Sequence, residues 1–296
     1  MSVTTFRWLS DIERFVRTKV DQPVDEPGQP GFRWDAEFQQ NANLSYRWVH
    51  ERISSIDRNF GVKTTTIAVS AGATTTALPA SLRVLRKVFL LRGTTPCAII
   101  RLSSFDELGA WCPGTSAVFR PSEGDLYWTG RPRSAFSILV VYEEHPVPLI
   151  HGCALDGGGS TIQLAEHESD QNDLHVGTEI RLTDGDGAGQ ERTGLLYNGL
   201  TKVLTVDSAW TSGTPTAQTR YTSKPKLPPD ALDVLVWDVC ARMAEKLQDE
   251  KWNEFVQERE TKLKHMATAL ASLDRQEPQY ARDAMELGGH GDPLYS

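Results

Sequence analysis

Residues 182–210 read LTDGDGAGQERTGLLYNGLTKVLTVDSAW, with four glycines and two aspartates between Asp184 and Gly194. Such a run can cradle a phosphate, hold a calcium ion or simply turn the chain. A dinucleotide fingerprint needs G-x-G-x-x-G between a strand and a helix, so that the helix N-terminus faces the pyrophosphate. Here the order is Gly185-x-Gly187-x-Gly189, and strand-like sequence follows. A P-loop needs Lys and Ser or Thr after its last glycine, where this chain has Gln190 and Glu191. Counted as a calcium loop from Asp184, position 3 is Asp186, but position 5 is Ala188 and position 12 is Leu195. What remains is a tight β-turn, in which Asp and Gly tolerate positive φ at little cost.

His145, His151, Cys153, His167 and His175 fall in one neighbourhood and raise the question of a metal, but none sits at a recognised ligand spacing. Glu143-Glu144 and Asp249-Glu250 read as solvated faces rather than acid–base pairs. No G-x-S-x-G, H-E-x-x-H or paired Cys/His arrangement occurs. The expectation is a protein that is not an enzyme, with no catalytic residue, no cofactor and no metal. Trp8, Trp34, Trp48, Trp237 and Trp252 fall on helical stripes and read as core, whereas Trp111, Trp128 and Trp210 stand near loop ends and suit an interface.

Composition bounds the class. The chain has 296 residues, 39% hydrophobic and 24% charged, with a formal charge of −8. That describes an ordinary globular protein and disfavours a broad nucleic-acid-binding surface, which needs clustered Lys and Arg. No apolar run approaches the ~20 residues of a membrane helix, and the N-terminal segment lacks the apolar stretch of a secretory signal, so synthesis in the cytoplasm is expected. Cys97, Cys112, Cys153 and Cys240 are far apart and suit reduced, buried thiols.

The elements follow from periodicity. Phe6, Leu9, Ile12, Phe15 and Val16 recur at spacings of three and four, which predicts a helix over 5–19. A proline-rich loop follows, then a helix from Trp34 to about Ser55 whose apolar face includes Leu44, Trp48 and Ile53. Residues 61–79, 96–103, 125–130 and 134–144 read as extended, while PASLRVLRKVFLL (79–91) fits a short helix or a buried strand. SSFDELGAW (103–111) reads as a short helix. From 149 to 225, short strand candidates alternate with turn clusters, the pattern of a small all-β unit. Residues 230–272 hold no Gly or Pro, so a helical block opening at Asp230 is expected, as one helix or two with a bend near Asp249. The predicted fold class is α+β. In it the N-terminal helices pack on the long C-terminal block to form a helical body, with a β region and an inserted all-β subdomain. Residues 1–148 and 226–273 would be the discontinuous body, 149–225 the insert and 274–296 an extended tail.

Two sets of residues resemble known virion proteins. ALPASLRVLRKVFLLRG, LSSFDELGAW, GDLYWTGRPRSAFSILVVYEEHPVPL and LPPDALDVLVWDVCARMAEKLQDEKWNEFVQERETKL resemble the head–tail adaptor (connector) proteins of tailed bacteriophages, over residues 1–148 and 226–270. Within the insert, Gly189, Gln190, Arg192, Tyr197, Gly199, Thr205, Val206, Trp210, Thr214, Pro215 and Tyr221 fill the places of a β module that resembles one recurring in phage virion proteins. Gly194 departs from that pattern, where a β-branched residue is usual, and predicts a kink or bulge.

The resemblance implies a non-enzymatic structural protein of the virion neck: a homo-oligomeric ring, commonly twelvefold, assembled in the host cytoplasm. Its partners would be the portal protein and the tail or nozzle proteins, with DNA passing through the lumen without sequence-specific binding, and no membrane. The other reading is a tail or neck decoration, or a host-glycan-binding module carried by the β insert.

Overall fold

In the computed structural model the described residues are 6–20, 34–79, 81–103, 116–120, 124–128, 132 and 134–274. They form four helices and fifteen strands in three sheets. Numbered in chain order, the helices are α1 (Leu9–Lys19), α2 (Trp34–Ile56), α3 (Pro229–Leu247) and α4 (Trp252–Asp274). The expected helical body is therefore corrected: the fold is β-rich, and a seven-stranded sheet is its largest layer. The physical reason is that strands of three to eight residues carry weak local periodicity. They become one sheet only through pairings between distant parts of the chain.

The chain divides into two compact units, one made of residues 1–57 and 147–296 and the other of 58–146. In the first, α1 contacts α3, α2 contacts both α3 and α4, and α3 contacts α4. The stripe of α1 is Leu9, Ile12 and Val16, all fully buried. Asp11 starts this helix by accepting the free backbone N–H groups of Arg7 and Trp8, at 3.1 and 3.0 Å. The α2 stripe is Phe38, Ala42, Tyr46, Val49 and Ile53, whereas Leu44, expected on it, is exposed. The C-terminal block is two helices. Gln248 takes a left-handed conformation, and its backbone N–H donates to the carbonyls of Ala244 and Glu245. Helix α3 opens one residue before the expected cap, at Pro229, with Asp230 already inside its first turn.

The sheet of this unit contains β9 (His151–Cys153), β10 (Asp156–Gly158), β11 (Thr161–Gln163), β12 (Glu179–Asp184), β13 (Glu191–Asn198), β14 (Val203–Val206) and β15 (Arg220–Ser223). Their order is β10-β11-β14-β13-β12-β15-β9, antiparallel throughout. The first and last strands of the module are neighbours, with Gly152 opposite Tyr221. Ile162, Ile180, Leu182, Tyr197, Leu204 and Tyr221 fill its core. Helix α2 contacts β9 and α1 contacts β15, so two helices rest on the end of the sheet where the module begins and finishes.

In the other unit, β1 (Val62–Val69), β3 (Leu82–Arg92), β4 (Thr95–Ile99) and β8 (Phe136–Glu144) form a sheet in the order β1-β8-β3-β4. The ambiguous 79–91 segment is thus strand from Leu82 onward. β2 (Thr75–Ala77), β5 (Arg101–Ser103), β6 (Ser116–Arg120) and β7 (Asp125–Trp128) form a second sheet, in which β5 and β6 run parallel. Of the short helix expected at 103–111, Ser103 ends β5 and the rest, like the tail after 274, lies outside the described residues. Among the described residues no helix is long and apolar enough to cross a membrane.

Candidate functional site

Among the polar residues buried along α1 and α2, Glu13 and Gln39 face the end of the seven-stranded sheet. On α1, Glu13 follows Leu9 by four positions and precedes Val16 by three, so it points the same way as the buried leucine and valine. Its Oε1 accepts from Arg17 Nε at 2.8 Å and from Trp34 Nε1 at 3.0 Å. Its Oε2 lies 3.1 Å from His151 Nε2. Burial alone would push this carboxyl up. The field and hydrogen bonding of His151, then of Arg17, outweigh burial and hold it at about 2. Beside it, Asp35 takes both of its oxygens to Arg220 Nη2, at 3.1 and 3.2 Å.

Glu13, Asp35 and His151 bring one possible metal-ligand atom each within 4.8 Å of one another. The guanidinium groups of Arg17 and Arg220 occupy the same carboxylates. A divalent cation would enter against two positive charges that already balance the two negative ones, and Coulomb repulsion at these distances opposes it. The group is an ion-pair knot joining α1, α2, β9 and β15.

A second buried cluster adjoins it through Gln39 of α2. The Gln39 amide oxygen accepts the His151 backbone N–H at 3.1 Å and lies 2.9 Å from His167 Nε2. Its amide nitrogen donates to Glu168 Oε2 at 2.9 Å. Tyr221 donates to Glu168 Oε1 at 3.0 Å and accepts the Ala165 N–H at 2.9 Å. Burial, with the Glu168 carboxyl next in weight, raises the Tyr221 phenol, so it remains a donor. His175 Nε2 stands 3.8 Å from Glu168 Oε2, and its ring meets Tyr197 edge-on at 4.5 Å. Burial raises Glu168 to about 7, and its hydrogen bonds with Gln39 and Tyr221 only partly oppose the rise. Burial lowers His175 to about 4. The pair is neutral between those values, a proton on the carboxyl and none added to the ring.

The glycine run is the turn between β12 and β13. Gly185 and Gly187 have φ of 75° and 77°, in the left-handed region. A Cβ on Gly185 would meet Gln218 O at 2.6 Å, and one on Gly187 would meet Gly213 O at 2.8 Å. The turn is therefore pressed against 211–219. Gln190 fixes it there by donating to the carbonyls of Gly187 and Gly213 and accepting from the Thr211 N–H at 2.6 Å. Asp186, read as a calcium-type position, accepts from Thr216 Oγ1 and stays exposed. Gly185→Ala should lower stability by about 2 kcal/mol through left-handed strain and the backbone clash. Urea unfolding followed by circular dichroism measures it, and a loss below about 0.5 kcal/mol refutes the account. At Gly194 the register shifts between Gly194 and Leu196, the bulge expected from its departure.

Among the suspected residues, His151, His167 and His175 come together, linked by Gln39 and Glu168, while His145 belongs to the 58–146 unit. Cys240 is buried but Cys153 is exposed, against expectation, and both are free. Burial pushes the Cys153 thiol up, away from nucleophile character. Trp210 is also corrected. It is buried in the module core, its Nε1 donates to Thr161 O at 3.1 Å, and Arg192 lies over its ring. Trp252, expected in the core, is exposed. Trp111 lies outside the described residues. Compared with known proteins, the chain matches no family model and no curated protein.

Proposed function

We propose that this chain is a structural virion protein, a head–tail adaptor whose copies form a ring joining portal to tail around the passage of DNA. The observation that carries the reading is the helical set. The first two and last two helices, far apart in sequence, pack on one another, and both β parts leave from the connection between α2 and α3. These helices are supplied by the terminal segments that resemble adaptors. Glu13 and Asp35 are engaged by Arg17, His151 and Arg220 across α1, α2, β9 and β15. That suits a part that must transmit load between a helical layer and a sheet.

Assembly in the host cytoplasm and residence at the neck are parts of the same proposal. Negative-stain imaging of the purified protein, alone and mixed with portal, tests it. Closed rings that cap the portal are expected. Particles that remain single copies in both samples, with gold-labelled antibody absent from the virion neck, would sink the reading.

A further inference from the structure

Among the exposed leucines of the module, three lie in or just after β13: Leu195 and Leu196 are each 57% exposed and Leu200 is 88% exposed. For Leu195 and Leu196 the bulge in β13 is the cause. Gly194 pairs with Val206 and Leu196 with Thr205, so Leu195 is an extra residue and two leucines follow one another outward. Val176, also exposed, is brought beside them where the Gly177 N–H donates to the Gly194 carbonyl. Exposed Asp173 and Glu191 lie on the same strand and on the loop bonded to it, with Asp170, which pairs with Lys202, beside them. Over 149–225 there are ten Asp and Glu against five Lys and Arg. An exposed apolar cluster set in negative charge suits a partner surface that is apolar and positive.

Such a surface exists in the same chain. Residues 58–146 carry ten Lys and Arg against six Asp and Glu, the opposite balance. In the β1-β8-β3 sheet, Val88, Ile138 and Val140 turn one face into a core. The register puts Val84, Lys87 and Phe89 of β3 on the other face, with Leu139 and Val141 of β8 and Thr64 of β1. Val84, Lys87 and Thr64 are exposed, and the remaining three are half-buried. The acid on that face, Glu143, is neutralised by Arg83 and Arg86.

We propose that the Leu195–Leu196 face of one copy docks on the Lys87-bearing sheet face of a second copy. A leucine face meeting itself would set acid against acid, whereas this pairing matches both charge and apolar area. The two surfaces differ, so the contact is head-to-tail, and repeating it closes a ring or extends a filament. The inference rests on the ring reading above and names its contact.

Complementation by full-length variants tests it. Leu195→Asp/Leu196→Asp spoils one face, and Thr64→Glu/Lys87→Glu spoils the other; all four positions are exposed or at the surface, so folding is retained, as circular dichroism checks. In sedimentation velocity the wild type should assemble, and less so as salt rises. Each variant alone should sediment as a monomer. Their equimolar mixture should give 1:1 dimers and nothing larger, because only one intact face of each kind remains. Either variant assembling like the wild type, or a mixture that stays monomeric, overturns this contact while the ring reading stands. A wild type that is monomeric at every concentration overturns both.

Discussion

His175→Phe should make the protein more stable toward acid, and Glu168→Gln should make it less stable, whereas the wild type changes little between about pH 6.5 and 4.5. Glu168 has its folded pKa raised from 4.5 to about 7. Between those values the folded state holds a proton that the unfolded chain lacks, so stability from this group is full below 4.5 and is lost as pH rises through 7. His175 has its folded pKa lowered from 6.5 to about 4. There the unfolded chain holds the extra proton, so stability is full above 6.5 and is lost as pH falls toward 4. Each shift is worth roughly 3 kcal/mol over its window, and the two oppose one another.

Single substitutions expose each slope because neither shift depends on the partner. Burial and the Lys202 charge set His175, and burial with Gln39, Tyr221, the His151 backbone and Lys202 sets Glu168. Phe at 175 keeps the edge-on packing against Tyr197, and Gln at 168 keeps the size of the side chain and a carbonyl acceptor for one of its two donors, Gln39 and Tyr221. The remaining titratable neighbours, His167, His151 and Tyr197, are unchanged in both variants. Urea unfolding at several pH values should give slopes of opposite sign in the two variants, each reaching roughly 2–3 kcal/mol. Two flat profiles, or two slopes of the same sign, contradict the neutral-pair description.

The helices were legible in the sequence. The helix stripes at 9–16 and 38–53 have a spacing that only a helix makes useful, and the missing Gly and Pro after Asp230 leave little choice. The short strands of 161–163, 179–184 and 203–206 were legible one at a time, but their union into a seven-stranded sheet was not. That union depends on pairings such as Tyr221 with Gly152, about seventy residues apart, and no local pattern encodes them. The polar knot left a fainter trace. Glu13 sits where an apolar residue belongs on α1, and Gln39 stands three residues before buried Ala42 and seven before buried Tyr46. A charged or amide side chain inside an apolar stripe calls for a buried partner. The sequence could say that Glu13 and Gln39 needed partners, but His151, Glu168 and Tyr221 reach them only through the fold. Trp210 misleads for the opposite reason, because its loop-end position hides a ring held in the core by its own hydrogen bond and by Arg192.

Glu13→Ala should cost about 3–5 kcal/mol near neutral pH, the usual penalty for breaking a buried ion pair from one side. The substitution leaves Trp34 Nε1 and the Arg17 guanidinium without the acceptor they share, and it removes the carboxylate that faces His151. Arg17 retains a 3.9 Å approach to Asp35, itself committed to Arg220. The pH dependence separates this charge effect from a simple packing loss. The folded pKa of Glu13 is lowered from 4.5 to about 2, so its contribution is complete above 4.5 and is lost as pH falls toward 2. The stability gap between wild type and variant should therefore narrow by about 2 kcal/mol between pH 5 and pH 3. The narrowing comes from wild-type Glu13, since the variant has no group there to titrate. Urea rather than guanidinium must be the denaturant, because a salt would screen the interaction under test. A gap that is the same at both pH values means Glu13 contributes volume rather than charge, and the ion-pair knot then has no energetic role in holding α1 to the sheet.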